Sequence, residues 1–417
     1  MSAAGGYFEI SPTDRSMAML DLVSRVSFHV VCDLAGPLEI ELLGRCWDRL
    51  GRLHPILTCR ADLKVDTRWQ PTVGIGEVKL VHGQQVEDLT AVEVGRSLDP
   101  VEGPLVFLTA ISGDSSFRLV LGAHHAAFDG LAGVQLVDDL RRLYREETNA
   151  DPSPDWTPRT VRSALRAHPM RGADRFTVAA SSFDRWGRLP ASQHARPEWI
   201  DGAGSGYVTI DLGPALAALE ERRRQRGWPM EAVLVGLLER AWTERFGEGE
   251  GPVSGWLVAY DLRPSLGLNR GMGNLSGTEP VLLHVPASLE ETIDQASARI
   301  AAWKSRRPGL GPELAAAAWS WLPPALLNQG AEAMLRAGRD RGYTRTLSNL
   351  GRLPERLADW GETRMEAITI VCPMWEPPYT PFVTYAYRGT SYLTARLSPN
   401  GLSPDHLDGL RLSLLRG

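Results

Sequence analysis

The chain has 417 residues, more than one ordinary hydrophobic core organises, so two domains or two lobes around a shared interface are expected. Its composition, 43% hydrophobic and 23% charged, excludes a disordered or fibrous polymer, and a net charge of -5 argues against non-specific nucleic-acid binding, which needs a surface of phosphate-neutralising cations. The N-terminal MSAAGGYFEISPTDRS has no basic, apolar leader pattern and no later window is apolar enough to span a bilayer; the four cysteines, Cys32, Cys46, Cys59 and Cys372, are scattered without a C-x-x-C pair, so a cytoplasmic protein with reduced thiols is expected, with neither disulfide framework nor zinc site.

In chain order, VSRVSFHVVCDLAG reads as a β-branched strand closed by Gly36-Pro37, and LEIELLGRCWDRLGRLHP follows with Leu42, Cys46, Leu50 and Leu53 at helical spacing. GEVKLVH is a strand. PLVFLTAISGDSSFRLVLGAHH gives two strands around the turn SGDSS, and LAGVQLVDDLRRLYREE a helix. From about Asn149 the pattern turns irregular and rich in proline, which marks a linker; residues 1–160 are expected to form the first lobe, 161–205 the linker and 206–417 the second lobe. The second lobe opens with the strand YVTIDL, the helices GPALAALEERRRQRG and MEAVLVGLLERAWTERFG, and the strand SGWLVAYDLRP. The run Arg222, Arg223, Arg224 and Arg226 sits in the last turn of a helix, where cations complement the carbonyl end; docking of an acidic partner is the alternative. The same two readings apply to WKSRRPG at 303–309.

The chemistry concentrates in LVLGAHHAAFDGLAG, where His124, His125, Asp129 and Gly130 fall at the end of an apolar strand. Side chains alternate along a strand, so if the strand continues the two histidines point opposite ways and divide their labour, one in the site and one in its support. An imidazole at a strand end suits a general base, because its pKa lies near working pH; a hydrogen-bonded core histidine is the plainer reading. Asp129 equally suits the N-cap of the following helix, and Gly130 a turn. His125 and Asp129 stand at an i, i+4 interval that converges on a metal only within a helix, and no third ligand accompanies them; a serine nucleophile has no G-x-S-x-G elbow.

Read as H-H-x-x-x-D-G, residues 124–130 resemble the signature of the coenzyme-A-dependent acyltransferase superfamily, which includes condensation domains of peptide synthetases, plant acyltransferases, polyketide-associated acyltransferases and chloramphenicol acetyltransferase. FEISPTDRSMAMLD, LGRLHPILTCR, VAYDLRPSLG with GMGNLSG, LSNLGRLPE and the closing SYLTARLSPNGLSPDHLDGL resemble further family segments in the family's order, covering almost the whole chain. The resemblance implies an α/β (α+β) fold of two chloramphenicol-acetyltransferase-like lobes in a V around a central channel. It implies His125 as the base, an acyl thioester of coenzyme A or an acyl carrier protein as donor, a small-molecule or carrier-bound hydroxyl or amine as acceptor, and no tightly bound cofactor or metal. Asp129 is then mainly structural, with Arg263 as its expected partner, because opposite charges drawn into a low-dielectric interior must find each other. His124 becomes the supporting histidine, while the backbone N–H near Gly130 and the side chains of Ser348 and Asn349 become candidate oxyanion donors. One departure stands out: Leu53 and Thr58 replace the two arginines of the family's R-H-x-x-L-R segment, with only Arg60 near, which weakens the match to peptide-condensation domains and favours simpler acyltransferases. A free-standing amide-forming enzyme and a non-catalytic docking module are the alternatives. Carrier proteins are typically acidic, and Arg141, Arg142 or the 222–226 run are candidate contacts. Among the 13 tryptophans, Trp256 and Trp375 are candidate pocket residues.

Overall fold

The computed structural model describes residues 8–415 except 22–24, 63–64, 73, 84, 114–115, 147–150, 188–189, 193–205, 248–250, 286, 305–306, 308–309, 312, 315–321, 376–378 and 398–401. The tip of the SGDSS turn, the centre of WKSRRPG and the end of the expected linker lie outside the described residues. Its strands are β1 (Ser27–Ala35), β2 (Cys59–Arg60), β3 (Gln70–Pro71), β4 (Lys79–His82), β5 (Val106–Ser112), β6 (Ser116–His124), β7 (Gly206–Asp211), β8 (Val253–Asp261), β9 (Ser276–His284), β10 (Arg345–Arg352), β11 (Asp359–Trp360), β12 (Thr363–Val371), β13 (Thr380–Tyr387) and β14 (Thr390–Leu397). The helices are α1 (Pro12–Asp21), α2 (Ile40–Leu53), α3 (Val86–Val94), α4 (Gly130–Glu146), α5 (Val161–Ala167), α6 (Gly172–Gly187), α7 (Gly213–Arg226), α8 (Met230–Phe246), α9 (Leu289–Lys304), α10 (Pro324–Asp340) and α11 (Pro404–Leu415).

The first sheet runs β11-β12-β1-β6-β5-β4. Alternation along β1 sends Phe28, Val30, Cys32 and Leu34 to one face, where Leu43, Cys46, Trp47 and Leu50 of α2 and Leu136, Leu140 and Leu143 of α4 cover them. The opposite face carries Val31, Phe107, Ile111 and Val120 against Val94 and Leu98. The second sheet runs β7-β14-β13-β10-β8-β9, with β10 parallel to both neighbours. Its core joins Trp256, Val258, Val281 and Leu283 to α8, α9 and α11; α8 is apolar on most of its circumference and accordingly buried.

The lobes do not follow the division expected from the sequence. β11 and β12 lie within 206–417, yet they complete the first sheet, where β12 pairs antiparallel with β1 from His29↔Val371 to Ala35↔Arg364. The hydroxyls of Tyr385 and Tyr387 on β13 donate to the carbonyls of Ile368 and Met365 on this crossing strand, at 3.0 and 3.2 Å. The span 161–205 also differs, since it contains α5 and α6. Thr160 and Ser163 form a reciprocal capping box at the start of α5, and Val161, Ala164 and Leu165 pack on Leu262, Leu266 and Leu275 of the second lobe. α5, seven residues lying between prolines, carries too few turns for periodicity to reveal it.

The basic run behaves as the end of a solvated helix. Arg223 and Arg224 pair with Glu220, Arg222 with Glu290, and Arg226 with Glu290 and Asp294. Arg141 is buried and paired with Asp138, and Arg142 pairs with Asp139 and Glu146, so the expectation of Arg141 as an exposed carrier contact is corrected.

Candidate active site

β6 ends at His124, one residue earlier than the alternation argument assumed, and the two histidines separate because the chain turns there. His124 is fully buried and its Nδ1 accepts from the Ala126 N–H at 3.1 Å, a supporting role. His125 is partly exposed; its N–H donates to the Val26 carbonyl at 3.1 Å and its ring lines a pocket between the two lobes. Phe28 meets that ring edge-on, with centroids 5.6 Å apart at 72°. Burial holds the imidazole below the ordinary histidine pKa; the interaction that opposes this most is with the residue's own backbone carbonyl, followed by the charge of Asp129. The ring is therefore neutral at neutral pH, the form a general base requires.

Asp129 satisfies both of its sequence readings. Its Oδ1 accepts from the Ala132 N–H at 2.8 Å, an N-cap of α4, and from Arg263 Nη2 at 3.0 Å. Its Oδ2 accepts from Arg263 Nη1 at 3.0 Å and from the Leu275 N–H at 2.8 Å. At 2% and 5% exposure, Asp129 and Arg263 form a buried bidentate pair across the lobes. Arg60, the alternative partner, is exposed. Both carboxylate oxygens of Asp129 are thus engaged within the protein.

The loop 262–275 of the second lobe holds the motif turn from the other side. The Asp129 N–H donates to the Gly273 carbonyl at 3.3 Å, and the Asn274 side-chain amide donates to the His125 carbonyl at 2.5 Å. Glycine is needed at 273 because a Cβ there would lie 2.1 Å from the Arg159 carbonyl oxygen. Asn274 and Phe28 were not singled out in the sequence; Asn274 follows a recognised glycine in GMGNLSG, which was the available signal, whereas nothing local marks Phe28.

The pocket, a cavity of about 130 Å³, brings together His125, Asp129, Gly130, Arg263, Ser348 and Asn349, the expected site residues apart from the supporting His124. Asn349 Oδ1 accepts from the Gly351 N–H at 3.1 Å and the Thr384 hydroxyl at 3.2 Å, which leaves its amide N–H groups as the donors. Gly130 and Leu131 open α4, so their N–H groups have no intrahelical acceptor and lie at the positive end of a 17-residue helix. Trp375 lines the pocket; Trp256 does not, being buried against Arg345 and Phe382.

The lining changes character across the second sheet. At β8 and β9 it presents Asp261, Ser276 and Thr278; at β13 and the end of β12 it presents Phe382, Val383, Ile370 and Val371, with Trp375 beyond. The strand order places these ends three spacings apart, about 14 Å. The Cys372 thiol at the apolar end is pushed up to about 11 by burial and stays neutral. Among the described residues no three His, Cys, Asp or Glu side chains group to hold a metal, and no helix is long and apolar enough to cross a membrane.

No family model matches the chain. Phthiocerol/phthiodiolone dimycocerosyl transferase of Mycobacterium leprae (strain TN) is 29% identical over 174 residues, a match spanning 38% of this chain and 40% of that protein. The condensation domain of the monacolin K polyketide synthase MokA superposes on 99% of this chain and 96% of its own, with a TM-score of 0.70 at 12% identity. Polyketide synthase associated protein 5 from Mycobacterium tuberculosis covers 100% of this chain and 98% of its own, with a TM-score of 0.64 at 18% identity. The chain thus carries a partial sequence similarity to a dimycocerosyl transferase and shares its two-sheet fold with the MokA condensation domain and polyketide synthase associated protein 5.

Proposed function

We propose that the chain is a thioester-dependent acyltransferase, moving an acyl group from coenzyme A or an acyl carrier protein to a hydroxyl or amine, in natural-product or lipid biosynthesis. The observation that carries this reading is the state of His125: a neutral imidazole whose Nδ1 is sealed from solvent, so that Nε2 is the nitrogen left to meet a substrate in the inter-lobe pocket. Nε2 takes the proton of the acceptor as the acceptor attacks the thioester carbonyl, and returns it to the departing thiolate as the tetrahedral intermediate collapses. The oxyanion of that intermediate is met by the orphan N–H groups of Gly130 and Leu131, the Ser348 hydroxyl or the Asn349 amide. The apolar end of the pocket suits the acyl chain and the end bearing Asp261, Ser276 and Thr278 suits a polar acceptor.

In this reading the thioester donor is a substrate, not a resident cofactor. The test is incubation of the purified chain with a panel of acyl-coenzyme A and acyl-carrier thioesters, each with hydroxyl and amine acceptors, read by intact mass of the products. Ester or amide that disappears in His125→Ala supports the proposal and its relative yields choose between donors and bonds. Binding of thioesters without any product would overturn it in favour of a docking module.

A further inference from the structure

Beside the neutral His125, the charged side chains that line the inter-lobe pocket are Asp129, Asp261 and Arg263, which leaves one negative charge uncompensated. The hydrogen bonds say where it lies. Every N–H of the Arg263 guanidinium is committed: Nε to the Gly271 carbonyl at 3.3 Å, Nη1 to Asp129 and Asp261 at 3.0 and 2.9 Å, and Nη2 to Asp129 and Gly271 at 3.0 and 2.8 Å. Asp129 has both oxygens engaged. Asp261 differs, because its Oδ1 accepts from the Arg263 backbone N–H at 3.0 Å and from Nη1, while its Oδ2 accepts from nothing among the described residues. Its side chain is 30% exposed, whereas those of Asp129 and Arg263 are buried. The uncompensated charge therefore resides on Asp261. Strand register sets two hydroxyls next to it: β8 pairs antiparallel with β9, Asp261 opposite Ser276 and Ala259 opposite Thr278, so these side chains share the face turned to the pocket.

We infer that Asp261 is a specificity-determining residue: its Oδ2, with the hydroxyls of Ser276 and Thr278, binds an ammonium group on the acceptor, so that the acceptor is an amino alcohol or a diamine acylated at the end away from that charge. The inference rests on the acyl-transfer reading of this pocket. An ammonium carries three N–H donors and no acceptor, which a carboxylate oxygen and two hydroxyl oxygens complement, and the bond to the carboxylate is charge-assisted. A neutral acceptor of the same length finds the hydroxyls but not the ion pair. A carboxylate-bearing acceptor meets the Asp261 charge without a free cation to offset it, since Arg263 has no N–H left. The ammonium has no lone pair and does not itself attack. The hydroxyl or second, neutral amine at the other end gives its proton to His125 Nε2 and forms the new bond to the thioester carbonyl carbon; the C–S bond breaks, and the proton passes to the departing thiolate. The ammonium leaves unchanged on the product.

The experiment compares, at neutral pH, ω-amino alkanols from ethanolamine to aminooctanol with their N-acetyl derivatives and with the matching ω-hydroxy acids, in the full-length wild type and in Asp261→Asn. Steady-state kinetics with the donor chosen by the thioester panel gives kcat/KM, and ligand-observed NMR titration gives binding without turnover. Because Asp261 is partly exposed, solvent screens the pairing, so the wild type should favour the ammonium compound over its N-acetyl counterpart by roughly 5- to 20-fold at the best length, with the hydroxy acid poorest. Asp261→Asn keeps an Oδ1 acceptor for Arg263 and removes the charge; the preference should fall to within about twofold. A wild type without preference for the ammonium overturns the inference with no variant needed, so misfolding of Asp261→Asn leaves it decidable. A folded Asp261→Asn that slows all three acceptors equally also overturns it, since Asp261 would then serve only to hold Arg263. Absence of acyl transfer together with Asp261-dependent binding of the ammonium compounds defeats the proposed function and leaves the ammonium site standing, whereas equal binding of the three classes overturns the site itself.

Discussion

Replacing Asp129 by alanine separates a structural carboxylate from a catalytic one. The substitution removes two hydrogen bonds from Arg263, at 3.0 Å each, and two from the N–H groups of Ala132 and Leu275, at 2.8 Å each. Breaking a buried ion pair from one side costs roughly 3–5 kcal/mol, because a charge is left uncompensated. Here Arg263 retains the Asp261 carboxylate at 2.9 Å and the Gly271 carbonyl at 2.8 Å, so the lower part of that range applies, about 3 kcal/mol. Unfolding entropy near ~2.1 cal/mol/K per residue gives roughly 0.9 kcal/mol/K for a chain of this length, so the melting temperature should fall by about 3–4 °C. Calorimetry with a matching urea titration measures this. Neutralising both partners in Asp129→Ala/Arg263→Met should be milder than the sum of the single changes, with a coupling of about 2 kcal/mol in a double-mutant cycle. Asp129→Ala melting within 1 °C of wild type while inactive would refute the reasoning and point to direct participation of the carboxylate in the chemistry.

Three further outcomes are expected. The acid limb of the kcat/KM profile should lie below the ordinary histidine pKa of about 6.5, since burial lowers that of His125; activity holds above the limb and falls as pH drops through it, and a limb above 7 would contradict the desolvated ring. Gly130→Ala should leave the melting temperature unchanged or slightly higher, as alanine favours a helix, yet reduce kcat/KM, because its Cβ would lie 3.3 Å from Leu350 Cδ2 across the pocket; steady-state kinetics with long and short acyl donors reads the narrowing. Glu239→Gln should destabilise the second lobe by about 3 kcal/mol in urea titration, because Arg345, fully buried and stacked on Trp242 and Trp256, has Glu239 as its carboxylate partner at 3.0 Å.

The elements around the motif were readable because their periods are local. β1 alternates, α2 repeats its apolar residues every three or four positions, and α4 follows its N-cap, so each buries the face its spacing prescribes. The pairing of Asp129 with Arg263, 134 residues apart, was implied by resemblance and is realised as a bidentate contact. What stayed hidden shares one cause. β12 reads as a strand in either lobe, since alternation states which residues face a core but not which sheet supplies it. Phe28 and Leu350 carry no local signal for the site either, and Asn274 only its place beside Gly273; Phe28 reaches His125 through the pairing of β1 with β6, whereas Asn274 and Leu350 reach His125 and Gly130 only once the lobes dock.

By itself, the amino-acid order determined the secondary elements around the motif, the turn bearing His125 and the kinds of group available there. Tertiary structure alone decided which nitrogen of that ring is buried, which residues wall the pocket, and that Asn274 of the second lobe hydrogen-bonds the His125 carbonyl. Periodicity and capping act within a few residues along the chain, whereas burial, desolvation and hydrogen-bond convergence arise from segments brought together across it.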